Sequence, residues 1–191
     1  MHDPELSWAR PILSAGERVE YLRLLSGAER LRAEGMQQLA RDSFLRGRAL
    51  LASLAHAAGE HGAIVAACPD CGGPHGRPVI AGSRLQVGLS RCATAVVAVS
   101  SWDAAVGVDV EPRVASAARL DAIDTLTGHR SIAHWTAVEA VLKADGRGLR
   151  VDPSEVVIEG GEARVLDRPV RYRLMVPELD ESLQVTVAVA I

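Results

Sequence analysis

Two adjacent glycines near the carboxyl end of the chain, Gly160 and Gly161, constrain its fold most strongly. Strand-forming patterns occupy residues 156–159 before them and 162–166 after them, so only two residues connect the two segments. A two-residue turn joins antiparallel strands, whereas parallel strands need a crossover of a dozen or more residues. The sequence therefore predicts an antiparallel hairpin here.

Helical and strand patterns alternate along the rest of the chain. A capping-box spacing at Ser26 and Glu29 and a leucine-rich stripe over residues 41–58 predict helices in the first part. Strands are predicted over 85–90, 94–101 and 105–111, helix over most of 113–145, and strands over 170–176 and 183–191. This order favours an α+β fold, with antiparallel sheets and packed helices, over a doubly wound parallel sheet. We place a boundary between an N-terminal half, residues 1–102, and a C-terminal half, residues 103–191, within one compact unit.

Composition narrows the class of protein. The formal net charge of -3 argues against a general electrostatic grip on nucleic acid. The first residues lack the basic start and apolar run of a signal peptide, and the apolar runs are too short to cross a bilayer. Three cysteines, an odd number, do not indicate a secreted disulfide framework. We expect a cytoplasmic protein that binds neither nucleic acid nor membrane.

The first candidate site lies at residues 107–111, which read Gly-Val-Asp-Val-Glu. Alternate residues of a strand share a face, so Asp109 and Glu111 should stand side by side while Val108 and Val110 enter the core. Two adjacent carboxylates repel each other, and a hard divalent cation with oxygen ligands would compensate them. The competing interpretation is the polar outer face of an edge strand.

The second candidate site is the helical segment that begins at Trp135. Glu139 and Lys143 are four residues apart and therefore lie on one helical face. Lys143 is the single lysine among 21 lysines and arginines. The pair is either an ordinary surface ion pair or a third metal-binding carboxylate with a cation placed one turn away to meet a phosphate.

Together the two segments resemble the signature of the Sfp-type 4'-phosphopantetheinyl transferases, a G-[IV]-D-[IV]-E strand followed by a W-[ST]-x-K-E-[AS]-x-x-K-x-x-G helix. Residues 107–111 carry the first element intact. The loop at 68–78 is similar to a family loop that ends in G-[KR]-P, and Leu89–Ser90 match the start of an L-S-H strand. Arg41–Asp42 and residues 47–51 resemble the N-terminal helix. The second element matches at Trp135, Thr136, Glu139, Ala140, Lys143 and Gly146.

The resemblance implies two similar halves related by a pseudo-twofold axis, with coenzyme A bound in the cleft between them. It implies a monomeric, magnesium-dependent enzyme that moves the 4'-phosphopantetheine arm of coenzyme A to a serine of an apo acyl or peptidyl carrier protein and releases 3',5'-ADP. Magnesium would be held by Asp109, Glu111 and Glu139, and Glu139 and Lys143 would be the catalytic residues. Coenzyme A contacts are implied for Arg41, Arg48, Arg77, Ser90, Arg91 and Lys143.

Several positions depart from the family pattern. Val138 stands where the family usually has lysine, and Arg91 replaces the usual histidine after Ser90. Ser43 and Ala52 stand where arginine is frequent. The alternative to an active transferase is therefore a weakened member that binds coenzyme A or a carrier protein without efficient turnover.

Two further features concern partners and metals. Carrier proteins are acidic, and the region 113–134 offers Arg113, Arg119 and Arg130 as a local docking patch. Separately, Cys68, Cys71 and His75 have ligand-like spacing for zinc, and Cys92 is a candidate fourth ligand. A Gly/Pro-rich loop with buried thiols is the interpretation that we favour over a zinc module at this stage.

Overall fold

The computed structural model describes residues 3–191, and these form three antiparallel sheets with five α-helices. The prediction of an α+β fold with antiparallel sheets is confirmed. The strands are β1 (Glu5–Ala9), β2 (Ile64–Val65), β3 (Val79–Ile80), β4 (Gln86–Arg91), β5 (Val96–Ser101), β6 (Val106–Pro112), β7 (Val156–Glu159), β8 (Glu162–Val165), β9 (Arg171–Met175) and β10 (Leu183–Ala190). The helices are α1 (Ala15–Leu22), α2 (Gly27–Glu34), α3 (Gln38–Ala57), α4 (Ala117–Thr127) and α5 (Ile132–Asp145).

The first sheet has the strand order β1-β5-β4, and helix α3 packs on it. The leucine-rich stripe of α3 supplies Leu50, Leu51 and Leu54 to a core that also contains Val87 and Val96. Apolar residues at helical spacing thus meet the inward face of the sheet, which explains why this segment is helical. β2 and β3 form a separate two-stranded sheet.

The second sheet has the order β6-β10-β9-β8-β7, and helix α5 packs across β6 and β10. The predicted hairpin is confirmed as β7 and β8, whose register places Glu159 opposite Glu162. Gly160 and Gly161 both have positive φ angles, 57° and 83°. A type I′ turn requires positive φ at both central positions, which glycine adopts without steric cost.

Valines from the two sheets share one apolar core. Val97 and Val99 of β5 cluster with Val108 of β6 and with Val185 and Val187 of β10, all at most 2% exposed. Burial of this surface, at roughly 25 cal/mol per Å² of apolar area, favours the packing of the two sheets against each other.

Several elements differ from the sequence predictions. Among residues 3–191, strand β1 precedes the first helix, and the unpredicted helix α1 follows it. The predicted helical region 113–145 is two helices, because Gly128 ends α4 with a φ of 72° and Ser131 caps the start of α5.

Within residues 3–191, none of the helices combines the length and apolarity needed to span a membrane.

Candidate functional site

Gly107 of β6 allows helix α5 to approach the strand backbone to backbone. A Cβ added at Gly107 would lie closer than 3.0 Å to Ala140 O and Ala144 N, a distance that real Cβ atoms essentially never show. Gly107, Asp109 and Glu111 share one face of β6. The close approach therefore brings α5 onto the face that carries the carboxylates. The sequence predicted only that Gly107 leaves this face open.

A second glycine brings strand β4 to the same place. A Cβ at Gly88 would meet Val99 Cγ1 at 2.9 Å, Gly107 Cα at 3.4 Å and Val106 O at 3.4 Å. Two residues further along each strand, Ser90 of β4 and Asp109 of β6 are hydrogen-bonded. The first sheet thus contributes a polar group to a site that otherwise belongs to β6 and α5.

Three side chains from these elements form a connected polar cluster. Lys143 Nζ lies 2.5 Å from Asp109 Oδ1 and donates to Ser90 Oγ at 2.9 Å. Ser90 Oγ in turn donates to Asp109 Oδ1 at 2.7 Å. Glu139 Oε2 lies 3.8 Å from the same ammonium group, on the helical face that the four-residue spacing predicts. The structure therefore brings together four of the residues singled out from the sequence.

Within residues 3–191, one carboxylate oxygen of this cluster has no hydrogen-bond partner, and burial disfavours the charge of a second carboxylate. Asp109 is 5% exposed, and its Oδ2 is buried without a hydrogen-bond partner. Burial raises the pKa of Glu139; Lys143 opposes this shift, while the negative charges of Asp109 and Glu111 reinforce it. An unpartnered buried oxygen and a destabilised carboxylate both favour an additional cation here.

Glu111 is held at the rim of the cluster by an arginine. Arg119 Nη2 donates to Glu111 Oε1 at 2.8 Å, and the Arg119 guanidinium lies over the Trp135 ring at 5.5 Å from its centroid. Trp135 is one turn before Glu139 on α5, so this aromatic residue packs beneath the ion pair. Arg119 therefore competes with any metal ion for Glu111.

The fit to magnesium rests on the donor set. Asp109, Glu111 and Glu139 offer the carboxylate oxygens that this ion prefers, and the free Oδ2 of Asp109 is a ready ligand. Among residues 3–191, one group of three potential metal-ligand atoms lies within 4.8 Å of one another. This group consists of Cys68, Cys71 and His75, not of the three carboxylates. The three carboxylates interact electrostatically, but their oxygens are not all within 4.8 Å of one another. The Lys143 ammonium group forms an ion pair with Asp109.

Lys143 also lines a cleft of about 880 Å³. This size is in the range of small-molecule sites, and the cationic lining suits an anionic ligand. Arg77 enters the cleft with its Nη2 3.4 Å from Val106 O, and burial lowers the pKa of Arg77. Arg147 and Arg150 also line the cleft; Arg147 pairs with Asp145 and Asp167, and Arg150 lies 3.4 Å from Asp70. Sequence reasoning missed these two arginines, although they lie one and four residues after Gly146.

The other predicted coenzyme A contacts lie elsewhere. Arg48 is 4% exposed and donates from Nε to Glu29 Oε1 at 2.7 Å, so it has a buried partner within the protein. Arg91 lines a different cleft, of about 530 Å³, next to Ser43. Arg41 lies on the first turn of α3, next to the buried Asp42. Of the six predicted contacts, the large cleft and its polar cluster bring together Arg77, Ser90 and Lys143.

Val138 and the proposed docking arginines also have defined positions. Val138 is fully buried in the core between α5 and the second sheet, among residues such as Val141 and Val165. A side chain at this position therefore points away from the cleft. Arg130 pairs with Asp121 at 2.9 Å, and Arg113 donates to Leu183 O at 3.1 Å.

The sequence matches no protein-family model, and no curated protein resembles it significantly.

Proposed function

We propose that the chain is a 4'-phosphopantetheinyl transferase that moves the phosphopantetheine arm of coenzyme A to a serine of an apo carrier protein. The observation that carries the proposal is the convergence of Asp109, Glu139 and Lys143 beside a cationic cleft. Asp109 belongs to the first sequence element and Glu139 and Lys143 to the second, and Glu111 lies at the rim of the cluster. The two sheets, each with its own packed helix, agree with the pseudo-twofold halves that the resemblance implies.

The reaction requires a phosphoryl group to pass between two oxygens. The carrier serine Oγ attacks the phosphorus that bears the pantetheine arm, a new O–P bond forms, and the bridging O–P bond to 3',5'-ADP breaks. Magnesium, held by Asp109, Glu111 and Glu139, would neutralise charge on the pyrophosphate oxygens when bound. Lys143, Arg77 and the other arginines that line the cleft bind and orient the anionic nucleotide.

Glu139 is suited to accept the proton that the serine loses. Glu139 lies beside Lys143 and Asp109, and by the resemblance its carboxylate accepts the serine proton directly or through a water molecule. Lys143 carries its ammonium group one helical turn away, where it can compensate the negative charge of the departing phosphate. Helix α5 would thus supply both the group that accepts the proton, Glu139, and the group that compensates the charge of the leaving group, Lys143.

The test is direct transfer. The protein is mixed with coenzyme A, magnesium and a panel of apo acyl and peptidyl carriers, and each carrier is weighed by intact mass spectrometry. Wild type should add one phosphopantetheine group to a carrier serine, and Glu139→Gln and Lys143→Met should abolish or strongly slow the addition. Glu34→Gln, an exposed carboxylate on α2, is the matched control. A magnesium-independent mass increase, or an active Glu139→Gln variant, would contradict the proposal.

A second candidate is a binder of coenzyme A that turns over poorly. The observation in its favour is that Lys143 already neutralises one oxygen of Asp109, in the place where a metal ion would act. Isothermal titration of coenzyme A with and without magnesium separates the two. Affinity that does not respond to magnesium, together with unmodified carriers, favours the binder.

A further inference from the structure

We propose that Cys68, Cys71 and His75 bind a zinc ion that fixes the loop forming one wall of the cleft. Cys68 Sγ, Cys71 Sγ and a ring nitrogen of His75 all lie within 4.8 Å of one another, although no apolar packing holds them. This inference concerns a site separate from the carboxylate cluster and does not depend on the proposed activity.

The distances suit a tetrahedral ion. Zinc binds sulfur at about 2.3 Å and histidine nitrogen at about 2.0 Å, so two ligand atoms of a tetrahedral site lie roughly 3.5 to 4 Å apart. Cys71 Sγ and His75 Nε2 are 3.0 Å apart, and a small outward movement of exposed side chains would admit the ion. Cys92, the predicted fourth ligand, lies apart from the group, with its Sγ 3.6 Å from Thr94 Oγ1. Asp70 Oδ2, which is 3.8 Å from Cys68 Sγ, or a water molecule would supply the fourth ligand.

The backbone of the loop is folded around these side chains. Gly72 N donates to Cys68 O at 2.8 Å, and the φ of 70° at Gly72 closes this turn. A Cβ at Gly73 would lie 3.1 Å from the His75 ring and 3.3 Å from Cys71 Sγ. Glycine at both positions therefore lets the chain wrap closely around the three candidate ligands.

The loop has no core of its own that would explain this order. Gly76 N donates to Ala66 O at 2.7 Å, which closes the loop at its base, and none of residues 67–76 is buried. Ordering each backbone residue costs about 1–2 kcal/mol, and apolar burial offsets little of that cost here. Zinc coordination would supply the missing stabilisation, as it does in small domains that lack a core.

The consequence reaches the cleft. Arg77 follows Gly76 directly and lines the cleft, while Asp70 of the same loop pairs with Arg150, which also lines the cleft. A zinc-ordered loop would therefore hold both groups in place.

The experiment measures zinc in reduced protein. After one addition of zinc chloride and desalting, wild type should retain about one zinc ion per chain by elemental analysis, and Co²⁺ should produce a thiolate-to-metal absorption band. Cys68→Ser, Cys71→Ser and His75→Ala should each lose most of both signals, whereas the matched control Cys92→Ser should keep them. Hydrogen exchange at the Gly72 and Gly76 amides should accelerate when the zinc is removed.

Three results overturn the proposal. The first is that wild-type protein retains no more zinc than a Cys68→Ser/Cys71→Ser double variant, although all three of its thiols are shown to be reduced. The second is a zinc content that depends on Cys92 and not on His75. The last is that protein kept without reductant has one free thiol, and that this number does not change when zinc is added. This result would indicate a Cys68–Cys71 disulfide and would contradict the proposal.

Discussion

The contact between Gly107 and helix α5 provides the sharpest test of how the fold positions the site. Gly107→Ala adds one methyl group that points at Ala140 O and Ala144 N. Both atoms belong to the backbone, so no side-chain rotation can relieve the clash. The new Cβ would lie about 1 Å inside the 3.4 Å at which ordinary van der Waals contact begins, so α5 must move away from β6 by a similar distance.

The magnitude has two parts. Overpacking a dense core costs about 1–3 kcal/mol, which for a domain of this size lowers the melting temperature by roughly 2 to 12 °C. The displacement also carries Glu139 and Lys143 away from Asp109, and a misplacement of 1 Å can slow a reaction by about a hundredfold. We therefore expect a folded protein that melts earlier and transfers phosphopantetheine about a hundred times more slowly.

The assays are calorimetry for the melting temperature and intact mass spectrometry for the transfer rate. Gly27→Ala is the matched control, because a Cβ there meets nothing within 4 Å and the residue lies in the first turn of α2. This control should leave both measurements essentially unchanged. The reasoning is refuted if Gly107→Ala melts and transfers like wild type, since the helix would then have room to spare.

Three further changes test individual charges. Without divalent ions, Glu139→Gln should be more stable than wild type at neutral pH, because the pKa of Glu139 is raised and wild type loses stability as the pH rises through that pKa. The difference between the two proteins in urea unfolding should therefore disappear below pH 4.5. Lys143→Met should slow transfer by about 10²–10³-fold, because the phosphate loses a preorganised cation; equal rates in the mass assay would contradict this role. Glu29→Gln leaves the 4% exposed Arg48 without its charge partner and should cost about 3–5 kcal/mol in denaturant unfolding, while a near-neutral result would show that Arg48 finds water.

Patterns with a local physical cause were predictable from the sequence. The hairpin at Gly160 and Gly161 follows from backbone sterics, and the capping box at Ser26 and Glu29 follows from hydrogen bonding within one turn. Helix α1 has the same signature at Ser14 and Glu17, so it could have been found by the same rule.

Features that depend on distant contacts were not predictable. β1 is a five-residue edge strand that is defined by its pairing with β5, and β2 and β3 are two residues each. Asp109, Glu139 and Lys143 lie close together, as the sequence elements indicate, but the oxygens of the three carboxylates Asp109, Glu111 and Glu139 are not all within 4.8 Å of one another. The hydrogen bonds among the side chains of the site were not predicted. The bond from Lys143 to Ser90 depends on the approach of β4 to β6 at two glycines, which no single-strand pattern reveals.

The cluster of Ser90, Asp109 and Lys143 spans the junction between the two sheets. A ligand bound there would contact both sheets and would oppose their separation with a free energy of RT ln(1 + [L]/Kd). Ligand binding should therefore raise the melting temperature and slow proteolysis of the chain. A bound nucleotide would thus stabilise the fold in addition to acting as a substrate.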